Sequence, residues 1–548
     1  MKAFAAALLA ASLLCAPVIA QTAPAPTAPA PAAAPAGKPT LIVAISVDQF
    51  SADLFAEYRN RFTGGFARLL DGAVFPSGYQ SHAATETCPG HSTLMTGMRP
   101  AHTGIVLNTW RDERSPLADK VIYCVEDEHN AANRHDHYTV ANDHLLARTL
   151  GERLRAANPA SRNVAVSGKD RAAVTMAGRT ADETWWWDAD ARAFATYPGR
   201  PAPAIVDRAN AAIAARIGAA QPALDLPAWC AGRARSVPTT GPTVGDGRFA
   251  REPGNAAAFR ASPELDGATL ALAAGFVQTM RLGRGSAPDV LSVSLSATDY
   301  VGHAYGTQGA EMCLQLASID RDLGDFFAVL DRAGIDYLVV LAADHGGVDL
   351  PERALAQGAA GVSRSHFDPD AAIRAATAAV GLPATALHFQ ESNLYADATL
   401  PPAVRTRLIA AARTAIRAQP DVAAVFTADE IAASPEPGGP PETWPLIMRA
   451  KASFYRPRSG DLIVALAPRV SGASEPRPGY VATHGSFWDY DRRVPILFWR
   501  RGMPSFEQPL SVETVDIMPT LAAVLGLPVS GVDGRCLDLD PGPASTCP

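Results

Sequence analysis

The chain has 548 residues, of which 48% are hydrophobic and 19% are charged, and its formal net charge is −7. This length and apolar content allow a large core, in one large α/β domain with insertions or in two domains. The mildly acidic balance excludes an extended basic surface of the kind that binds nucleic acid or anionic membranes, so any recognition of an anion must be local.

The first twenty residues are typical of an export signal. Lys2 precedes an apolar run, and small residues end the segment at 18–20. The run is short for a membrane span, and no later stretch has the ~20 uninterrupted apolar residues that a span needs. We therefore predict a signal peptide over 1–20, no stable membrane insertion, and a periplasmic or secreted protein. Residues 21–38 are rich in Pro and Ala, which predicts a disordered linker.

The cysteines favour disulfide bonds. Of seven, Cys15 leaves with the predicted signal, and an even number remains in an exported chain. Reduced, buried thiols are the alternative. Only the pairing in the C-terminal tail has an argument of its own, which is closeness in sequence, and the other two pairs are conjectures among fifteen possible connectivities. The expected pairs are Cys536–Cys547, Cys88–Cys124 and Cys230–Cys313.

Short, β-branched apolar runs predict central strands at 40–47, 163–168, 289–297, 336–343 and 494–500. Their hydrophobicity is continuous rather than alternating, which indicates burial on both faces, as in a parallel sheet covered by helices. Helical segments lie between them, such as 311–334, which ends at a glycine. The predicted fold is α/β, with a doubly wound, mostly parallel central sheet and helices on both faces.

Two regions, about 185–285 and 350–480, do not follow this alternation. We predict that both are insertions that cap the site. Three consecutive tryptophans at 185–187 are expected to pack in a core or a lid, with lining of a substrate cleft as the alternative. The catalytic domain is thus expected over 39–548, and the protein is expected to be a monomer.

Acidic and histidine side chains occur where the predicted strands end, which is where ligands bind in open α/β sheets. Asp299 and His303 are four residues apart, so on a helical turn they share one face and can converge on one metal ion. Each residue alone is better explained as a helix cap or a hydrogen-bonded loop residue. All six together favour two zinc sites, each with three protein ligands and an open position for substrate. The six are Asp48, Asp299, His303, Asp344, His345 and His484.

Seven motifs occur in the order "SVDQF", "TETCPGHSTLMTG", "HTGIVLN", "SGKDR", "DYVGHAYG", "ADHGG" and "THGSF". This set resembles the alkaline phosphatase superfamily of two-zinc hydrolases. It is more closely similar to the secreted bacterial alkaline phosphatases with a threonine nucleophile, of the Sphingomonas and flavobacterial type, which are related to nucleotide pyrophosphatase/phosphodiesterases. The motifs cover about residues 40–525, nearly the whole of the expected mature chain.

The resemblance implies the metal ligands. One zinc would be held by Asp299, His303 and His484, and the other by Asp48, Asp344 and His345. Mixed Asp and His ligands suit zinc best, with manganese or cobalt as alternatives in the same geometry.

The resemblance also assigns the nucleophile to Thr87 rather than Thr85, within a Thr-x-Pro-x-His arrangement, and makes Thr87 a bridge to the second zinc. Zinc lowers the pKa of a bound oxygen acid, so no separate base is required. Pro89 favours the start of a helix here, and a helix N-terminus suits an anionic phosphoryl group. Without the metal ligands, Thr87 would be an ordinary N-cap.

Three further residues refine the reaction. Asn108 matches the family's asparagine, whose amide donates to a phosphoryl oxygen. Lys169 and Arg171 are two residues apart in a predicted loop, so both can reach one oxyanion, although in isolation they would be a solvated basic pair. In the resemblance this pair distinguishes monoesterases from diesterases, since a monoester dianion has an additional charged oxygen to neutralise.

The function predicted from the sequence is zinc-dependent hydrolysis of small-molecule phosphate monoesters, with broad specificity, through a covalent phosphothreonine at Thr87. Two zinc ions per chain are expected, and no nucleic-acid partner. One alternative is a phosphodiesterase or nucleotide pyrophosphatase on the same scaffold. An alternative of another class is a non-catalytic exported protein that binds phosphate or metal.

Overall fold

The computed structural model describes residues 37–134, 136–542 and 545–548. The predicted signal peptide, and the predicted linker up to residue 36, lie outside the described residues. Among the residues described, no helix combines the length and the apolar character needed to cross a bilayer.

The strands, in chain order, are β1 (Leu41–Val47), β2 (Ala73–Tyr79), β3 (Thr109–Arg111), β4 (Val121–Tyr123), β5 (Asn163–Ser167), β6 (Glu183–Asp188), β7 (Ala193–Ala195), β8 (Val237–Pro238), β9 (Thr243–Val244), β10 (Asp289–Leu295), β11 (Tyr337–Ala342), β12 (Ser363–Arg364), β13 (Leu387–Gln390), β14 (Asn393–Ala396), β15 (Val422–Thr427), β16 (Leu462–Leu466), β17 (Val470–Ser471), β18 (Arg493–Arg500), β19 (Phe506–Glu507) and β20 (Val512–Glu513).

The α-helices are α1 (Ala52–Tyr58), α2 (Gly65–Leu70), α3 (Thr87–Leu94), α4 (Pro100–Thr103), α5 (Leu150–Ala157), α6 (Asp170–Ala177), α7 (Ala204–Gly218), α8 (Ala256–Arg260), α9 (Pro263–Thr279), α10 (Ala297–Tyr305), α11 (Ala310–Arg332), α12 (Pro351–Ala356), α13 (Pro369–Val380), α14 (Pro402–Arg417), α15 (Ala428–Ala433), α16 (Leu446–Ser453), α17 (Asp489–Arg492) and α18 (Ile517–Val524). Short 3-10 helices cover Arg59–Arg61, Ala228–Arg233, Ala384–Ala386, Pro441–Thr443 and Thr514–Asp516.

Within the described residues, ten strands form the main sheet, in the order β19-β2-β18-β11-β1-β10-β5-β6-β7, with β20 paired to β2. The central pairs, from β11 through β1, β10 and β5 to β6, are parallel. β18 runs antiparallel to both of its neighbours. The α/β prediction, with a mostly parallel sheet at its centre, is confirmed.

Both faces of this sheet are covered, as the continuous apolar runs predict. All residues of β1 are buried. Leu41, Val43 and Ile45 pack into the core on one face, while Ile42 and Ala44 pack into the core on the other. Since successive side chains of a strand point to opposite faces, a strand buried on both sides needs apolar residues at every position.

The second expected insertion, 350–480, carries its own sheet in the order β13-β14-β16-β15. We call these four strands the small sheet. They pair antiparallel, and α13 and α14 contribute to a separate core above them, in which Ile373, Leu408 and Ile416 are buried.

The first expected insertion, 185–285, differs from the expectation. β6 and β7 extend the main sheet, and buried residues of α9, such as Leu272 and Phe276, belong to the main core. The three tryptophans at 185–187 are 2–5% exposed, so they are core residues. Both ends of this region therefore belong to the sheet and its helical layer.

Within the described part of the chain there are three disulfides, and they are the expected pairs. Cys88–Cys124 joins the first turn of α3 to the residue after β4, and Cys230–Cys313 joins a 3-10 helix to α11.

Candidate active site

The carboxyl ends of β1, β5, β10 and β11 meet at one edge of the main sheet, because these strands run parallel and nearly in register. Five of the predicted site residues follow these ends: Asp48, Lys169, Asp299, Asp344 and His345. Each is at most 2% exposed. Burial of so many ionisable groups is costly unless they are paired or bind metal ions.

The first group of candidate ligands is Asp299, His303 and His484, whose ligand atoms all lie within 4.8 Å of one another. The Nε2 atoms of His303 and His484 are each 3.3 Å from Asp299 Oδ1. Nδ1 of His303 donates to the Ala482 carbonyl, and Nδ1 of His484 donates to the Thr85 carbonyl, both at 2.8 Å. Because Nδ1 carries the hydrogen, each Nε2 presents a lone pair to the group. Burial lowers the pKa of His303 to about 4, which keeps its ring neutral.

The second group brings Asp48 and Asp344 together with His91, again within 4.8 Å. His91 lies 3.2 Å from Asp48 Oδ1 and 3.3 Å from Asp344 Oδ2. His345 is also present, with Nε2 at 3.1 Å from Asp344 Oδ2 and Nδ1 donating to the Gly346 carbonyl at 2.8 Å. The sequence reasoning gave His91 no role, although it is the histidine of the Thr-x-Pro-x-His arrangement.

The hydrogen bonds distinguish the two histidines. His91 Nδ1 donates to the Thr87 carbonyl at 2.9 Å, and its Nε2 lies 3.1 Å from Ser294 Oγ. His345 Nε2, in contrast, is buried and makes no hydrogen bond. Oδ2 of Asp48 and Oδ2 of Asp344 also make none, although each lies in an ion pair, with Lys169 and with His91 respectively. Unpartnered buried donor and acceptor atoms are rare in folded proteins. Two carboxylates and an imidazole nitrogen that makes no hydrogen bond fit a divalent metal ion, with His91 supporting the carboxylates.

Thr87 is the first residue of α3 and is 1% exposed. Its Oγ1 lies 3.2 Å from Lys169 Nζ and 3.3 Å from Arg171 Nη2, and both nitrogens donate to it. The hydroxyl of Thr85 instead donates to the Ser486 carbonyl at 2.8 Å. Of these two threonines, Thr87 is the one whose oxygen faces the cations.

Asn108 is fixed beside Thr87 by the backbone. Its Oδ1 accepts from the Cys88 amide at 2.9 Å, and its own backbone amide donates to Glu86 Oε2 at 2.9 Å. The hydrogen bond to Oδ1 fixes the orientation of the amide, and the side-chain NH2 remains available as a donor. Asn108 lines the cleft above Thr87.

Lys169 lies between the two groups of ligands. Its Nζ is 2.6 Å from Asp299 Oδ2 and 3.1 Å from Asp48 Oδ2. Burial alone would lower the pKa of Lys169, but Asp299 and Asp48 raise it above its ordinary value. For Asp299, burial works in the opposite direction, while His303 and Lys169 hold its pKa well below the usual range. Both groups are therefore charged at neutral pH.

Arg171 is positioned by a residue that the sequence reasoning missed. Its Nη1 donates to the Tyr123 hydroxyl at 3.2 Å, and that hydroxyl donates to Asp170 Oδ1 at 2.8 Å. Tyr123 comes from β4, next to the disulfide-bonded Cys124. No local pattern marks Tyr123, because its contact with Arg171 depends on the folding of a long connection.

These residues open into a cleft with a volume of about 550 Å³. One end holds Thr87, Asn108, Arg171, His303 and His484. The other end is formed largely by residues of 350–480. None of the described residues that line this cleft comes from 185–285, so the expectation that both regions cap the site fails for the first one, whose ends instead join the main sheet.

The chain is similar to known alkaline phosphatases in sequence and in fold. Residues 42–487 match the family model described as type I phosphodiesterase / nucleotide pyrophosphatase. Alkaline phosphatase PhoK from Sphingomonas is 51% identical over 521 residues, covering 93% of each chain. Alkaline phosphatase PhoD from Zymomonas mobilis is 46% identical, covering 93% of this chain and 89% of its own. The crystal structure of wild-type alkaline phosphatase PafA superimposes with a TM-score of 0.80 at 24% identity, covering 92% of this chain and 99% of that one.

Proposed function

We propose that this chain, which belongs to the type I phosphodiesterase / nucleotide pyrophosphatase family and is a hydrolase of the alkaline phosphatase class, cleaves phosphate monoesters through a covalent intermediate on Thr87. The observation that carries the proposal is the convergence of Lys169 and Arg171 on Thr87 Oγ1, at 3.2 and 3.3 Å. Two cations at the attacking oxygen suit a phosphoryl group with two negative charges. A diester carries one charge fewer and a second organic group there.

A pair of zinc ions would be held by Asp299, His303 and His484 and by Asp48, Asp344 and His345, with His91 beside the second set. When bound, zinc supplies Lewis-acid stabilisation of the attacking and leaving oxygens.

The chain's own residues account for the remaining steps. Thr87 Oγ1 gives up its proton to water and attacks phosphorus in line, the bond to the ester oxygen breaks, and the departing alkoxide takes a proton from water. Arg171 holds phosphoryl oxygens with its planar fork, Asn108 donates to another, and Lys169 adds a point charge. Water then attacks the phosphothreonine, which releases phosphate and restores the Thr87 hydroxyl. Thr87 at the start of α3 places the phosphoryl group near the positive end of the helix.

We also propose that the protein is exported. Three disulfides within the described residues suit an oxidising compartment such as the periplasm or the extracellular space. The predicted signal peptide also indicates export.

The test compares kcat/KM for an aryl phosphate monoester, the corresponding diester and the aryl sulfate on one zinc-loaded preparation. We expect a monoester preference of several orders of magnitude in the wild type. The double substitution Lys169→Ala with Arg171→Ala should reduce monoester hydrolysis far more than diester hydrolysis, because it removes the charges that neutralise the dianion. Arg208→Ala, at an exposed arginine of α7, is the control. A diester preference in the wild type, or equal losses for both esters in the double variant, would overturn the assignment.

A further inference from the structure

The cleft is larger than a phosphoryl group requires. Its volume of about 550 Å³ falls within the roughly 300–1,000 Å³ of pockets that enclose drug-sized organic ligands. Phosphate and the two ligand groups account for one end only. The rest of the cavity extends over the small sheet.

Apolar side chains form this far end. Phe389 lies in β13, and Phe367 lies just before α13. Their rings meet edge to face, with centroids 5.4 Å apart and planes at 66°. Val464 and Leu466 from β16 line the same cavity. Both phenylalanines are only partly buried against the core of the small sheet, so each ring keeps surface that faces the cleft. Aromatic rings offer edge-to-face and stacking contacts to another flat ring.

Hydrogen bonds connect the small sheet to the end of the cleft that contains Thr87 and Asn108, which we call the phosphoryl end. Glu391, in the turn between β13 and β14, accepts from the Thr109 amide at 3.0 Å and from the Thr109 hydroxyl at 2.7 Å. Thr109 follows Asn108 directly. These two hydrogen bonds therefore hold the Phe389 ring at a set position relative to Asn108.

The charges of the cleft argue against a polyanionic leaving group. Among the described lining residues, the cationic or titratable basic side chains are Arg171, His303 and His484, all at the phosphoryl end. The carboxyl groups that line the cleft are Glu86, beside Thr87, Asp491, and Glu391 at the small sheet. Burial and the neighbouring Glu86 raise the pKa of Glu391 well above its usual range. A second phosphate at the small sheet would meet the Glu391 carboxyl and no cation.

We infer that Phe367 and Phe389 form a subsite for the organic part of the ester, which favours monoesters of uncharged aromatic alcohols over small alkyl phosphates and over pyrophosphate or nucleoside polyphosphates. This inference rests on the proposed monoesterase function. It identifies aryl phosphates as the monoesters that the enzyme hydrolyses most efficiently. The two rings make stacking or edge-to-face contacts with an aromatic leaving group but not with a methyl group. They therefore determine which ester is preferred, while the phosphoryl group is recognised at the other end of the cleft.

The experiment measures kcat/KM for phenyl phosphate, methyl phosphate and pyrophosphate in the wild type and in the variant with Phe367→Leu and Phe389→Leu. Leucine keeps apolar volume against the core of the small sheet while removing the rings. We expect kcat/KM for phenyl phosphate to fall about tenfold, and that for methyl phosphate to change far less. Phe426→Ala is the matched control, because Phe426 is a partly buried phenylalanine of β15 in the same small sheet and does not line this cleft.

A binding measurement separates this inference from the proposed function. Calorimetry gives the Kd of phenylphosphonate and of inorganic phosphate, neither of which requires turnover. We expect the double leucine variant to weaken phenylphosphonate about tenfold and phosphate much less. Equal weakening of both, no weakening of either, or a wild-type preference for pyrophosphate would overturn the subsite. A wild type that binds phenylphosphonate more tightly than phosphate but hydrolyses no monoester would leave the subsite standing and remove the proposed function.

Discussion

Gln49 links the two groups of candidate ligands. It follows Asp48, its backbone amide donates to Asp344 Oδ1 at 3.1 Å, and its side-chain amide donates to Asp299 Oδ1 at 3.0 Å. Its φ of +63° is uncommon for a residue other than glycine. Backbone strain of this kind persists where the surroundings fix it, and it concentrates at functional sites.

The neighbours of Gln49 are adapted to it. A Cβ added at Gly302 would lie within 1.5 Å of the Gln49 side-chain oxygen, and one added at Gly347 would lie 2.7 Å from its Cγ. A side chain at either position would displace the Gln49 side chain from this arrangement. Gln49 therefore joins Asp299 and Asp344, which belong to different ligand groups, by hydrogen bonds.

Replacing Gln49 tests this role. Gln49→Ala removes the hydrogen bond to Asp299. We therefore expect the affinity of the variant protein for zinc to fall at least about tenfold, the usual range for residues that orient metal ligands. Competition with a chromogenic chelator measures the zinc Kd independently of turnover. Gln278→Ala, at an exposed glutamine of α9, should leave the Kd unchanged. A Gln49→Ala Kd equal to that of the wild type would rule the role out.

Sequence reasoning predicted candidate site residues that follow strands or belong to compact motifs, and the structure brings them together. Asp48, Asp344 and His345 were predictable because they come directly after buried apolar runs. Tyr123 was not, because it reaches Arg171 only through tertiary folding. His91 stood within a recognised motif, but its contacts with Asp48 and Asp344 come from residues 43 and 253 positions away in the chain, counted from their numbers.

At the scale of elements, the central strands were predictable because each is buried on both faces. β2, at Ala73–Tyr79, was missed. Its sequence AVFPSGY contains Pro and Gly, which weaken a strand pattern, and it forms because β18 pairs with it. The antiparallel direction of β18 was likewise not predictable, since an apolar run does not reveal the direction in which its neighbours run.

The helices and strands of 185–285 illustrate the same limit. The region begins within β6 and ends after α9, but the intervening stretch is rich in Pro, Gly and Arg. That composition gives no sign that β6 and α9 belong to the main sheet and its helical layer. Trp185 lies in the main core because β6 pairs with β5, with Val166 opposite Trp185. Pairing between distant segments, rather than local composition, decides that these elements belong to the sheet.

At the scale of the whole molecule, the buried acid Glu126 is expected to contribute to the pH dependence of stability. Glu126 is 0% exposed, and neither of its carboxyl oxygens makes a hydrogen bond. Burial raises its pKa from 4.5 to about 8. Between these values the unfolded chain loses the proton while the folded chain keeps it. The free energy of unfolding therefore decreases as pH rises through this window, and the full loss is reached above the folded pKa.

Glu126→Gln removes this dependence, because glutamine stays neutral at every pH. We expect the free energy of unfolding of the variant, relative to wild type, to increase by a few kcal/mol between pH 5 and pH 9. Urea unfolding of both zinc-loaded proteins at the two pH values measures the difference. If the difference between variant and wild type were the same at both pH values, Glu126 would not be the acid responsible.

The stereochemical course at phosphorus tests the central claim most directly. Hydrolysis of an aryl monoester whose phosphoryl group is chiral through oxygen isotopes reports whether transfer takes one in-line displacement or two. Attack by Thr87 and then by water inverts the configuration twice, so the account predicts net retention in the phosphate released. Net inversion would mean that water attacks the ester directly, and it would contradict a covalent intermediate on Thr87.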